Sequence, residues 1–275
     1  MKNSTEFARE KEGTLTVFRR REVPLNQLKK YVESHRSLIR ERSEELVKSS
    51  PGIIVSVIEE DGKKIAVKHF RYPRLWDRLK DLLRRPKGRK AWVGGHGLKV
   101  RGIASVQPLA LFEENHCLRF RESFLLMETI GGSLELDRFI LQGLGNFRRK
   151  REFIKAFATW LAGLYQRGIC HNDMKTCNVL VVEEKGHWGF RLLDLEDVRF
   201  DQAIAGKRLL KNFLQLNTST PKVITRTDRL RFFRECLRLI PGVENPKRLL
   251  GQVAETSRGR DLVYVSPEGV VIQKM

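Results

Sequence analysis

The sequence predicts an α+β protein, β-rich up to about Glu128 and mainly helical from Gly131-Gly132 onward. Three observations predict it. Two β-rich runs, 53–58 and 63–68, flank Asp61-Gly62, a dipeptide that favours a tight hairpin turn because both residues tolerate positive φ. Phe153, Ile154, Phe157, Trp160, Leu161 and Leu164 recur at the spacing of a buried helical stripe, and Gly168 follows as its stop. Two short apolar runs, 179–182 and 190–193, are separated by a loop with glycines at Gly186 and Gly189, which marks a second hairpin inside the helical part.

With 275 residues the chain can bury one substantial core or two lobes. Residues 1–14 are polar and expected to be a flexible N-terminus. Residues 15–128 form the β-rich lobe with an N-terminal extension, and 129–275 the helical lobe. Within the charged segment 23–48, Leu25, Leu28 and Val32 are spaced for a helix, expected as an appendage. Near the C-terminus, 262–265 and 269–272 read as a short hairpin around Ser266-Pro267-Glu268-Gly269. The first 30 residues carry many charges and no apolar run approaches 18, which implies a cytosolic protein. Cys117, Cys170, Cys177 and Cys236 show no CxxC spacing and suit reduced thiols; Cys177 reads as a packed residue rather than a nucleophile. The histidines form no zinc-ligand pattern, and His96 among Gly94, Gly95 and Gly97 reads as a turn residue.

The motif that carries chemistry is His171-Asn172-Asp173-Met174-Lys175-Thr176-Cys177-Asn178, followed across the 179–193 hairpin by Asp194. If the hairpin pairs antiparallel, Asn178 and Asp194 fall together at its open end. Paired strands lie about 4.8 Å apart, so the two side chains can reach one hard cation through oxygen. Asp173 stands in the preceding loop, where it can meet a hydroxyl. This separation of a proton acceptor from two cation-binding oxygens is the layout of a phosphoryl-transfer site. Upstream, alternation puts Ile65, Val67 and His69 on one strand face, Ala66 and Lys68 on the other. Lys68 ends the tetrapeptide Ile65-Ala66-Val67-Lys68, a pattern that grips nucleotide phosphates.

On these residues the chain resembles the protein-kinase-like fold, bilobal with a β-rich N-lobe and a mainly helical C-lobe. More narrowly, it is similar to the lipopolysaccharide core kinases that act on Kdo and heptose sugars. The resembling stretches are 65–103, 106–114, 164–181, 192–201 and 225–237. The resemblance implies transfer of the γ-phosphate of ATP to a sugar hydroxyl. Asp173 is then the base or orienter of the acceptor, Lys175 lies near the transferred phosphate, and His171 braces the loop. Lys68 holds the nucleotide phosphates, Met127 and Glu128 lie near the adenine, and Asn178 and Asp194 hold Mg²⁺. The implied acceptor is anionic lipopolysaccharide, its lipid A–core part, met at the cytosolic face of the inner membrane.

The chain departs from the wider kinase pattern in four places. No GxGxxG precedes Lys68, where the nearest candidate is Ser49-Ser50-Pro51-Gly52. Residues 82–112 hold no Asp or Glu, so the helix that would offer a Glu to Lys68 carries none, and Asp77 and Asp81 are poor substitutes. Glu196 stands where protein kinases have Gly, and no Ala-Pro-Glu follows Asp201.

The formal net charge is +20. Eleven Lys or Arg between Arg71 and Arg101 face only Asp77 and Asp81, a surplus that favours anionic surfaces. Arg229, Arg231, Arg234 and Arg238 are expected to extend this basic surface. Nucleic acid is the competing partner for so basic a chain, but no RNA-binding strand pattern, helix-turn-helix or zinc finger is present. Two other readings stay open: a Ser/Thr or small-molecule kinase of the same fold, and a pseudokinase or basic scaffold binding an anionic partner.

Overall fold

The computed structural model describes residues 4–41, 43, 46–60, 62–71, 85–116, 119–201 and 206–274. The chain forms two compact units, Met1–Gly102 with Val106–Ile130, and Ile103–Ser105 with Gly131–Met275.

The first unit is a seven-stranded antiparallel sheet in the order β1-β2-β6-β7-β5-β4-β3. Its strands are β1 (Phe7–Glu12), β2 (Leu15–Arg20), β3 (Leu46–Ser50), β4 (Ile53–Glu60), β5 (Lys63–Arg71), β6 (Pro108–His116) and β7 (Arg119–Glu128). The expected loose N-terminus is corrected, because residues 7–12 form an edge strand. Its anchors are Phe7, whose ring lies edge-on 4.7 Å from His96, and the buried Ala8. Two apolar residues amid charges give no periodic signal, yet they suffice where a sheet edge supplies the backbone partners.

The helix α1 (Leu25–Arg40) is likewise no appendage. Its stripe Leu28, Tyr31, Val32 and His35 is buried at i, i+3, i+4, i+7 in one core with Ile58, Ile65, Val67, Phe124 and Leu126. On this sheet face His35 Nδ1 meets Ser56 Oγ at 2.7 Å. Arg36 bonds both Glu114 and Glu122. His69 Nε2 donates to Glu122 at 2.9 Å, and its ring stacks on Phe124 with centroids 4.2 Å apart. Burial alone would raise the Glu122 carboxyl, but the bond from His69 and the charge of Arg36 hold it near 2.

The strand registers put Ala66, Lys68, Phe70, Leu125, Leu111, Ser123 and Glu113 on the opposite face. Here lies α2 (Lys87–Val100), so close that a Cβ at Gly88 would sit 2.6 Å from Ser123 Oγ and 2.8 Å from a methyl of Leu111. His96 belongs to this helix rather than to a turn, with its ring 4.4 Å from that of Trp92. The helix holds no carboxylate; Arg89 in its first turn instead reaches Glu113 on β6 with contacts of 2.7–2.9 Å. Burial pushes the fully enclosed Glu113 carboxyl up and Arg89 pulls it back. Asp77 and Asp81, the substitutes weighed on sequence, lie outside the described residues, as do Asp61 and Cys117.

The second unit holds β8 (Ser133–Glu135), α3 (Leu136–Leu141), α4 (Phe147–Gln166), β9 (Cys170–His171), β10 (Val179–Glu184), β11 (His187–Leu192), β12 (Val198–Arg199), α5 (Gly206–Ser219), α6 (Arg226–Leu239), α7 (Pro246–Ser257), β13 (Asp261–Ser266) and β14 (Gly269–Lys274). Asn146 caps α4 by accepting the Arg149 amide, and the helix ends at Gly168 with φ 67°. The buried stripe packs through Phe157 on Phe232 of α6 and on Phe190 of β11. Arg229 does not join the surface; its guanidinium is bonded to the carbonyls of Asn217, Thr220, Pro221 and Ile224. Arg231 and Arg238 are paired with Asp228 and Glu235. The C-terminal hairpin forms as β13 and β14 and is tied in by the Val265 amide on the buried Asp137 carboxylate, 2.8 Å.

Two stability predictions follow from the first unit. Desolvation holds His35 at about 4, and the same cause lowers His96 to about 4. The unfolded chain therefore takes up their protons first, and stability is lost as pH falls from 6.5 toward 4. Urea unfolding at pH 7 and 4.5 should show that loss, with His35→Gln reducing it by about 2 kcal/mol. Arg89→Met, which strands the Glu113 carboxylate, should destabilise by about 3 kcal/mol. The double variant Arg89→Met/Glu113→Leu should recover most of that loss in the same assay.

Candidate active site

Strand β9 pairs with β12, and the chain between them carries the sequence motif. His171 is 1% exposed. Its Nε2 lies 3.0 Å from the Leu193 carbonyl and 3.1 Å from the Asp194 carbonyl. Both are acceptors, so Nε2 carries the proton, leaving Nδ1 to accept the Asp173 amide at 3.3 Å. One side chain thus ties the loop to the far end of the hairpin.

That hairpin turns on Lys185-Gly186, at φ 50° and 79°, a tighter turn than the expected loop over 183–189. Val179 pairs with Leu192, and the Leu193 amide donates to the Asn178 carbonyl at 2.9 Å. Asn178 and Asp194 therefore flank the open end, as the spacing predicts. Asp194 has φ 47° and ψ 55°, a left-handed conformation unfavourable for most residues but tolerated by Asp. It persists because the Asp194 carbonyl accepts both His171 Nε2 and the Asp197 amide.

Asp173 is held from three sides. Its Oδ1 accepts Gln215 Nε2 at 3.0 Å, and its Oδ2 meets Lys175 Nζ at 3.1 Å. Its carbonyl accepts Asn178 Nδ2 at 2.8 Å. The structure thus gathers His171, Asp173, Lys175, Asn178 and Asp194 in one unit. It also adds residues the sequence reading missed. Asn212, Gln215 and Ser219 form a polar stripe at i, i+3, i+7 on α5. Asn212 Nδ2 donates to the His171 carbonyl at 2.9 Å, and Ser219 Oγ accepts the Thr176 amide at 3.0 Å. The signal available was three amide or hydroxyl side chains at helical spacing among leucines and Phe213.

Asn178 and Asp194 suit a hard cation. Nδ2 of Asn178 is committed to the Asp173 carbonyl, which leaves Oδ1 as the acceptor atom, 3.8 Å from the Cys177 thiol. An amide oxygen and a carboxylate are donors suited to Mg²⁺, which usually keeps water and phosphate oxygens for its remaining positions. Among the described residues no group of three or more His, Cys, Asp or Glu forms a metal cage.

The other sequence candidates belong to the first unit. Lys68 is buried, its ammonium 5.3 Å from the Phe70 ring centre. Met127 pairs with Ala66 on the same sheet face. Glu128 has its carboxylate on Arg20 at 2.7 Å and its amide on the Gln107 carbonyl at 3.0 Å.

A unit built on an antiparallel sheet and a mainly helical unit, the latter bearing a braced Asp loop and an Asn–Asp oxygen pair, define a protein-kinase-like phosphotransferase. The fold is shared with a solved structure described as WaaP in complex with acyl carrier protein, at TM-score 0.59 and 20% identity over 77% of this chain and 86% of that one. The model of the lipopolysaccharide kinase (Kdo/WaaP) family matches residues 38–235, and the chain belongs to that family. It is accordingly a kinase with an alcohol group as acceptor. No curated protein matches the chain. No helix among the described residues is long and apolar enough to cross a membrane.

Desolvation first, then the nearby carboxylates Asp137, Asp194 and Asp173, push the Cys177 thiol up to about 11. Site-resolved mass spectrometry after iodoacetamide at pH 7.5 should find Cys177 alkylated at least tenfold more slowly than in the urea-unfolded chain.

Proposed function

We propose that the chain transfers the γ-phosphate of ATP to a hydroxyl of a lipopolysaccharide core sugar, Kdo or heptose, at the cytosolic face of the inner membrane. The observation that carries this reading is the fixed Asp173 carboxylate, bonded to Gln215 and Lys175, while its own carbonyl sets the Asn178 amide.

In this reading Asp173 orients the acceptor hydroxyl and takes its proton. The new bond joins the acceptor oxygen to the γ-phosphorus as the bond to the bridging β,γ-oxygen breaks, and ADP leaves. Little covalent help is needed; positioning and neutralisation of charge supply the rate. Lys175, 3.1 Å from the Asp173 carboxylate, moves to the transferred phosphoryl oxygens, and Lys68 neutralises the remaining phosphates. His171 keeps Asp173 and Asp194 in register. Asn178 and Asp194 would hold Mg²⁺, which when bound would neutralise charge on the phosphate oxygens. Met127 and Glu128 meet the adenine. The +20 charge supports an anionic acceptor at a membrane surface rather than a neutral one.

Phosphate transfer from radiolabelled ATP to truncated, Kdo- and heptose-bearing lipopolysaccharide tests this reading. Asp173→Ala and Asp194→Ala should each lower transfer by about 10²–10⁴-fold with circular dichroism unchanged. Transfer to a protein or free small molecule alone would move the acceptor. Raising salt from 50 to 300 mM should weaken lipopolysaccharide binding more than ATP binding. RNA outcompeting lipopolysaccharide at physiological salt would remove the sugar assignment.

A further inference from the structure

The side chain of Gln215 has all four of its hydrogen-bonding positions filled by the catalytic loop and its own helix. Nε2 donates to the Asn172 carbonyl at 3.1 Å and to Asp173 Oδ1 at 3.0 Å. Oε1 accepts the Met174 amide at 3.1 Å and Asn212 Nδ2 at 3.2 Å. An amide can turn over and exchange its oxygen and nitrogen, but here both partners of Oε1 are donors and both partners of Nε2 are acceptors, so only one orientation satisfies the set. Asn212 is itself fixed, since its Oδ1 accepts the Tyr165 hydroxyl at 3.1 Å and its Nδ2 also reaches the His171 carbonyl.

We propose that Gln215 is a positioning residue for phosphoryl transfer, whose amide sets the rotation of the Asp173 carboxylate. The proposal rests on the reading of Asp173 as the group that meets the acceptor hydroxyl. With Oδ1 committed to Gln215, Oδ2 is the oxygen turned to Lys175, and to a longer contact of 3.4 Å from Asn178 Nδ2. The carboxylate is about one-third exposed, open enough for an acceptor to reach Oδ2. Gln215 comes from α5, outside the motif, and grips the loop on both sides of Asp173: the carbonyl before it and the amide after it. The loop and the carboxylate therefore rotate as one body. Without Gln215 the carboxylate keeps only its Oδ2 contacts to Lys175 and Asn178 and can turn about them, and a displacement near 1 Å at a reacting group is enough to lose about 10²-fold in rate.

Three variants test this, with turnover counted per ATP-binding site so that a partly unfolded sample is not mistaken for a slow one. Gln215→Met keeps length and removes the amide; Gln215→Glu sets a second carboxylate against Asp173; Asp173→Ala is the reference for loss of the acceptor-facing group. Radiolabelled ATP and truncated lipopolysaccharide serve as substrates. Gln215→Met should lower kcat 10–100-fold and Gln215→Glu more than 100-fold, with the KM for ATP within threefold of wild type and the number of ATP sites unchanged. If kcat per site in Gln215→Met stays within threefold of wild type while Asp173→Ala is inactive, the positioning role is wrong and the Asp173 reading survives. If activity falls only as the number of ATP sites falls, Gln215 is merely structural and the proposal is overturned. If Asp173→Ala is as active as wild type, both readings fall together. Should wild type not phosphorylate this acceptor, the same ratios are read on acceptor-independent ATP hydrolysis, where a kcat loss per site in Gln215→Met again supports the proposal and its absence again overturns it.

Discussion

The hydrogen bonds of the His171 imidazole reinforce the β9–β12 pairing and lock the loop after β9 to the segment that follows the β10–β11 hairpin. Its protonated nitrogen satisfies the carbonyls of Leu193 and Asp194, and its other nitrogen receives the Asp173 amide. A buried ring that satisfies three backbone groups at once makes the spacing between Asp173 and Asp194 a matter of bond lengths rather than of loop flexibility. The left-handed backbone at Asp194 is held by the same contact.

Around this joint the unit is built in layers. The long helix α4 packs its aromatic stripe on the hairpin and on α6, and delivers the chain through Gly168 into β9. Behind the loop, α5 presents Asn212, Gln215 and Ser219. A loop whose amides and carbonyls are withdrawn from water must find partners, and Asn212, Gln215 and Ser219 supply them in sequence along 171–176. Burying polar side chains in this way is favourable only when every group is matched, which is the condition observed for the Gln215 amide.

The first unit solves a different problem. In kinases a strand Lys usually pairs with a helix Glu, but here the helix on the Lys68 face presents Arg89 and the strand presents Glu113. The Arg89–Glu113 ion pair fastens α2 to β6. On the other face, His69 follows Lys68 directly and is locked by Glu122 and Phe124, so the register of β5 is fixed by polar contacts as well as by Ile65 and Val67.

Elements whose pattern is local were legible in the residues: the β4–β5 and β10–β11 hairpins, the α4 stripe, the C-terminal hairpin, and the placement of Asn178 and Asp194 at one hairpin end. Periodicity and turn chemistry act over a few residues and need no distant partner. Only the tertiary structure decided that residues 7–12 are a strand, that α1 is core, that His96 sits within a helix and that Arg229 points inward. It also decided that Gln215 grips Asp173 across 42 residues of chain. Each of these depends on what a distant segment offers: an open sheet edge, an apolar face, or unpaired backbone groups. No local pattern encodes the identity of a partner that folding brings into place.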